Sequence, residues 1–175
     1  YNAAQFLDKG LSTFIMEDKE MMDKLEVLIV NDGTKDNSVE VAQKFVDRYP
    51  NTFKIINKEN GGHGSAINTG VENVTGKYFK CVDADDWGYT DALERTMKIL
   101  EKEDFDALIQ SFITYDISKD LWEPRDIHCD NTDRIYNLKE IVDMWEQIDY
   151  GMSFHGVTYN SQFYKRLGYK LIEGV

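Results

Sequence analysis

Short blocks of consecutive apolar residues alternate along this chain with longer stretches in which apolar side chains recur every three or four positions. Helical spacing appears first between Ala3 and Phe14, through Phe6, Leu7, Leu11 and Phe14. Leu25 to Val30 is a compact aliphatic run of the kind that fills a strand buried on both faces. It stops at the turn signal Asn31-Asp32-Gly33. Val39, Ala42, Phe45 and Val46 then mark one helix face, with Asn37 or Ser38 as the N-cap. The alternation continues with a strand over Phe53–Ile56, a glycine turn over residues 60–64, and a short helix carrying Ala66, Ile67, Gly70 and Val71. A third strand spans Lys77–Val82, a helix capped by Thr90 follows (Leu93, Met97, Leu100), and Ala107–Tyr115 reads as one further strand. Leu121–Thr132 reads as an exposed polar loop, whereas Asn137 and Glu140 form a capping-box pattern opening a helix through Trp145. Residues 151–175 show no clear period. This order predicts an α/β fold with a mostly parallel sheet, and no internal repeat interrupts it.

Composition narrows the classes. The 175 residues fit one domain, and 42% hydrophobic content excludes a chain disordered by composition. No apolar run approaches the roughly 18 residues that span a bilayer, so a soluble domain is expected. The first residue is Tyr1 rather than Met, as expected of a segment excised from a longer protein. The formal charge of −12, from 32 acidic and 20 basic residues, argues against nucleic acid as a partner. An acidic protein binds a diphosphate when a divalent cation bridges the two. Cys81 and Cys129 lack CxxC spacing; Cys81 reads as a small buried hydrophobe, and a reducing, cytosolic setting follows.

Three segments carry candidate chemistry. Asp83-Ala84-Asp85-Asp86-Trp87 concentrates carboxylates at the C-terminal end of a strand, where open α/β sheets bind ligands and where Mg²⁺ or Mn²⁺ finds oxygen donors. The same residues also suit an ordinary helix-capping loop. Val30-Asn31-Asp32-Gly33-Thr34-Lys35-Asp36 places Asp32 to accept hydrogen bonds from a base or ribose, or else forms a plain turn. In Asn60-Gly61-Gly62-His63-Gly64-Ser65-Ala66-Ile67-Asn68-Thr69-Gly70, glycines admit a close ligand and the helix start offers N–H groups to an anion. Its spacing is neither GxGxxG nor a P-loop.

Taken together, in this order, these segments resemble family 2 glycosyltransferases of the GT-A fold. Tyr1-Asn2, VNDGTKD, NGGHGSAINTG and VDADDW stand where that family carries a Tyr-Asn pair, a VDDGSTD-like turn, an NxGxxxARNxG-like segment and a DxDD strand end. The likeness is close over residues 1–90 and looser beyond. It implies a Rossmann-like three-layer α/β/α sandwich with a mainly parallel central sheet. It further implies one domain over residues 1–175, truncated at both ends, with a nucleotide-sugar-binding half (1–90) and an acceptor-side half (91–175).

The implied activity is inverting, metal-dependent transfer of a sugar from a UDP-sugar or similar donor to a saccharide or lipid-linked acceptor, in polysaccharide or cell-wall glycan synthesis. By the same resemblance, Tyr1, Asn2, Asp32, Asn60, Gly62, His63, Asn68 and Asp83 line the donor, and Asp85 with Asp83 holds Mn²⁺ or Mg²⁺. Asp86, Trp87 and His155 are acceptor-side candidates, His155 also a potential metal ligand or a structural histidine. Trp122, Trp145, Tyr150 and Tyr159 line an acceptor groove or pack in the core. Ile67 and Asn31 depart from the family pattern, where Arg and Asp are frequent. The catalytic base is expected just after Val175, with Glu173 structural. A cytoplasmic location follows, at the cytoplasmic face of a membrane if the acceptor is lipid-linked. A non-catalytic nucleotide-sugar-binding module and a nucleotidyltransferase of similar fold are the alternatives.

Overall fold

The computed structural model describes residues 1–127, 134–144 and 154–174. Its N-terminal unit is built on a parallel pair, β1 (Val27–Asp32) and β2 (Phe53–Lys58), in register from Val27–Phe53 to Asp32–Lys58. Helix α3 (Ser38–Arg48) makes the crossover, as a parallel connection requires. Helix α1 (Ala4–Ser12) packs beside α3, and α4 (Gly62–Asn73) packs on β1. A one-turn helix, α2 (Lys19–Met22), is capped by the Asp18 carboxylate. One core cluster joins Leu7, Leu11, Met21, Val41, Phe45 and the fully enclosed Phe53. Phe6, expected on the buried face of α1, is 38% exposed, because the face against α3 is set by Leu7 and Leu11.

Beyond α4 the pairing changes sense. Strand β3 is only Tyr78–Phe79; Lys80–Val82, expected to extend it, has no ladder partner among the described residues. Helix α5 (Thr90–Lys102) follows, then β4 (Ala107–Ile109) and β5 (Phe112–Asp116). The single strand expected over Ala107–Tyr115 is therefore two strands in separate sheets. β4 and β3 flank β7 (Val157–Asn160), both antiparallel to it. β5 forms a hairpin with β6 (Leu121–Arg125), inside the expected loop. Pro124 is tolerated there because an edge strand does not need its N–H. Helix α6 (Leu138–Asp143) begins with the expected capping box of Asn137 and Glu140. A 3₁₀ turn, Phe154–Gly156, leads into β7, and α7 (Ser161–Leu167) follows it, capped by Asn160. Among the described pairings, β1–β2 is the parallel one.

Two other expected caps differ. At α3 neither Asn37 nor Ser38 caps through its side chain; the Asp36 carboxylate accepts from the Ser38 N–H at 3.0 Å and from the Ala4 N–H of α1 at 3.1 Å. At α5 the Thr90 hydroxyl instead donates to the Thr13 carbonyl at 2.9 Å. Trp145, Tyr150 and Cys129 lie outside the described residues. Among the described residues no helix is long and apolar enough to cross a membrane.

Candidate functional site

The site grows from the C-terminal ends of β1 and β2. Asp32 closes β1 opposite Lys58 in the parallel register, 3% exposed. Its Oδ1 accepts from Lys58 Nζ at 2.6 Å and from the Gly61 N–H at 2.9 Å; its Oδ2 accepts from the Gly62 N–H at 2.9 Å. Burial alone would raise this carboxyl, but Lys58 and the two glycine N–H groups outweigh it and hold the group below the usual carboxylate range. Expected to meet a nucleobase, Asp32 spends both oxygens on shaping the glycine turn. Asn60 supports the same corner, donating from Nδ2 to the Asp32 carbonyl at 2.9 Å. Asn31 links β1 to Asn57 and accepts from the Thr34 N–H.

Asn2 sits at positive φ, and its Oδ1 accepts from the Lys35 N–H at 2.9 Å while its own N–H donates to Thr34 Oγ1 at 2.7 Å. Tyr1 beside it is 56% exposed. Asp36, not among the expected site residues, joins this loop to both α1 and α3. Hydrogen bonds from Ser38, Ala4 and Thr34 hold its carboxyl well below the usual range. The visible signal was the second Asp of the NDGTKD turn, four residues after the first.

The acidic loop is braced by α1. A Cβ at Gly10 would come within 2.9 Å of the Asp86 carbonyl oxygen, so only glycine lets the loop lie this close. Thr13 Oγ1 accepts from the Gly88 N–H at 3.2 Å, and Lys9 Nζ stands 3.1 Å from the Trp87 ring centroid. Within the loop the Asp86 N–H bonds the Asp83 carbonyl at 3.0 Å, closing a turn. That turn brings Asp83 and Asp86 together and leaves Asp85 exposed at its corner.

Two of the three loop carboxylates, Asp83 and Asp86, each meet a histidine. His63 Nε2, in the first turn of α4, lies 2.9 Å from Asp83 Oδ1. His155 Nδ1, from the 3₁₀ turn, lies 3.2 Å from Asp86 Oδ2, buried and off the line of a hydrogen bond. Asp83, Asp86 and His155 each offer one donor atom, all within 4.8 Å of one another. Asp85, the expected principal ligand, is not in this group. Desolvation raises the Asp86 carboxyl; His155 opposes the rise, and Asp83 and Asp85 add to it. Cys81, half-buried behind the loop, has its thiol pushed up to about 12 by burial and then by Asp83, so it is no thiolate. Two carboxylate oxygens and an imidazole nitrogen form a donor set suited to Mn²⁺, and to Mg²⁺ with less use of the nitrogen.

Asn68 is 9% exposed, and its amide is bound to Leu171 and Glu173 of the C-terminal segment. Glu173, expected to be structural, accepts from Asn68 Nδ2 at 3.0 Å. Trp87 and Trp122 meet edge to face at 6.2 Å, and Trp122 stacks on Tyr115 at 4.3 Å. Tyr159 packs between Phe79 and Tyr164 in the small antiparallel sheet, not at the acidic loop.

Residues 1–168 match the model of Glycosyl transferase family 2. The chain belongs to this family. A relative in sequence is the uncharacterized glycosyltransferase YibD of Escherichia coli K12, 42% identical over 83 residues, which cover 47% of this chain and 24% of that protein. Glycosyltransferase GlyA of Streptococcus pneumoniae is 30% identical over 122 residues, 70% of this chain and 17% of that protein. The chain spans less than a quarter of the length of either relative. Among solved structures, residues 1–349 of Staphylococcus aureus TarS, in complex with UDP-GlcNAc, superpose with a TM-score of 0.72 at 17% identity. The match covers 100% of this chain and 47% of that one. The shared fold is the GT-A fold of family 2.

Proposed function

We propose that this chain is the donor-binding core of an inverting, metal-dependent glycosyltransferase. In this reading the donor is a UDP-linked sugar and the acceptor a saccharide or lipid-linked glycan, in cell-surface polysaccharide or cell-wall synthesis at the cytoplasmic face of a membrane. Residues 1–90 serve the donor and residues 91–175 the acceptor, with the base that deprotonates the acceptor hydroxyl beyond Val175. The observation that carries the proposal is the convergence of Asp83, Asp86 and His155 beside the glycine turn. The TarS complex with UDP-GlcNAc shares this fold and supports the choice of donor.

Asp83, Asp86 and His155 would hold the Mn²⁺ or Mg²⁺. A bound divalent cation would offset charge on the departing nucleoside diphosphate. His63, with Nε2 within hydrogen-bond reach of Asp83, orients that carboxylate. Trp87, fixed by Lys9, walls the site on the side of α1.

Calorimetric titration of UDP, with and without Mn²⁺, into the longer protein containing this chain tests the reading. Binding should require the cation. Asp83→Ala, Asp86→Ala and His155→Ala should each weaken it at least about tenfold, and Asp85→Ala less than about threefold. UDP binding indifferent to both metal and these variants would sink the proposal. Metal-dependent binding with no sugar transfer to any acceptor would leave a binding module.

A further inference from the structure

Helix α4 carries a second pattern that the donor reading does not use. Gly61, Gly64, Asn68 and Glu72 recur at helical spacing from the cap inward, and so share one face. The segment after α7 runs back along that face in reverse order. Lys170 Nζ pairs with Glu72 at 2.8 Å. Leu171 is held at both ends of its backbone: its N–H donates to Asn68 Oδ1 at 2.9 Å, and its carbonyl accepts from Asn68 Nδ2 at 3.0 Å. The same Nδ2 donates to Glu173 Oε1 at 3.0 Å. Ile172 passes over Gly64 so closely that a Cβ there would overlap its carbonyl oxygen. The Gly174 N–H then reaches the Gly61 carbonyl at 2.7 Å.

We propose that Gly61, Gly64, Asn68 and Glu72 form a docking groove for the chain's own segment Lys170–Gly174, and that Gly64 and Asn68 are positioning residues for the transfer step. Asn68 acts as a one-residue strand, its amide matching the N–H and C=O of Leu171. At 9% exposure, with both ends of its amide committed, it is poorly placed to meet a nucleotide. Gly64 serves the backbone of its own chain where a ligand had been expected. The groove ends at the turn whose Gly61 and Gly62 N–H groups Asp32 holds and from which His63 reaches Asp83. It therefore fixes where residues 171–174 stand relative to the acidic cluster without touching that cluster. Loosening it should lower turnover and spare donor binding, a consequence that rests on the proposed transferase function.

The test uses the longer protein that contains this chain, with Asn68→Ala, the isosteric Asn68→Asp and Gly64→Ala. Hydrogen exchange is followed at the Leu171 and Gly174 amides, alongside kcat and the KM for a UDP-sugar. In Asn68→Ala and Gly64→Ala those amides should exchange about tenfold faster or more, while the amides of β1 stay protected. The same variants should lose about tenfold or more in kcat, with donor KM shifting less than about threefold. Asn68→Asp keeps the acceptor for the Leu171 N–H but loses the donor and sets a carboxylate against the Leu171 carbonyl and Glu173, so its effects should have the same sign and be at least as large. Unchanged exchange at Leu171 and Gly174 would overturn the groove. Faster exchange with unchanged kcat, or a donor KM rising as far as kcat falls, would overturn the positioning role. Should no donor be turned over by the parent protein, the transferase reading fails and the exchange data alone decide the groove.

Discussion

The two regions of this molecule are held together in different ways. From Ala3 to Phe53 the buried apolar residues form one cluster, closed by helices against the parallel pair β1–β2. Past α4, full burial among the described residues falls to Gly156, Val157, Thr158 and Ser161, with short antiparallel pairings. Large apolar side chains stand out there: Ile117 is 79% exposed, Leu138 78% and Ile172 80%. Helix α5 buries no residue fully, although Leu93 and Met97 lean on the N-terminal cluster. The first region is the better-packed scaffold and the second a set of elements arranged around it. The chemistry falls on their seam, where Asp83 and Asp86 are braced by α1 and met by His155 from the second region.

That contrast is most directly broken at its centre. Phe53 is fully enclosed and touches Phe45 and Tyr49 at ring separations of 5.6 and 6.0 Å. Phe53→Ala should cost about 4 kcal/mol of unfolding free energy, read by urea denaturation, since the closed helices leave a cavity little room to collapse. A cost below about 1 kcal/mol would show that the first region is not the scaffold.

Next in size is Asp32→Asn, which joins scaffold to site. The folded state holds this carboxyl below its ordinary value, so its contribution to stability is present above that value and lost as pH falls through the depressed one. Asparagine leaves Lys58 facing a neutral amide in a nearly closed site, with an expected cost of about 3 kcal/mol near neutral pH. The gap between parent and variant should narrow as solutions are acidified below the ordinary carboxylate range. A gap that is constant with pH would mean that the Lys58 pair contributes nothing as an ion pair.

The scaffold was the more legible region because its signals are local. Val27–Asp32 and Phe53–Lys58 are apolar runs closed by turn residues; in the second region the capping box at Asn137, a pattern of four residues, was legible for the same reason. What the sequence hid depends on partners distant along the chain. Strand β6 contains Trp122-Glu123-Pro124-Arg125, polar and proline-bearing, and is a strand only because β5 pairs with it. Thr90 looked like a cap until Thr13 claimed its hydroxyl. In the site, the motif order singled out the loop and Asp83, but a count along DADD does not reveal which second carboxylate approaches Asp83 and His155. The turn decides that, and it selects Asp86 over Asp85. Asn68 was placed near the donor by the glycine-rich segment, and the segment it grips lies about a hundred residues away.

The smallest expected effect sharpens the comparison by repeating the aromatic truncation in the second region. Trp122 stacks on Tyr115, meets Trp87 edge to face, and remains 49% exposed on a two-stranded hairpin. Such ring pairs contribute about 1 kcal/mol beyond the area they cover, and half of this ring already faces water. Trp122→Ala should therefore cost about 1 kcal/mol, near a quarter of the Phe53 effect although the deleted ring is larger. Both variants are read in the same denaturation series. The emission of Trp87 should also shift, since losing Trp122 opens its edge to solvent while Lys9 keeps its face. Equal costs at the two positions would mean that the hairpin belongs to the same cooperative core as β1 and β2. The expected ratio means that the seam, with its acidic loop, has a rigid wall on one side and an adjustable one on the other.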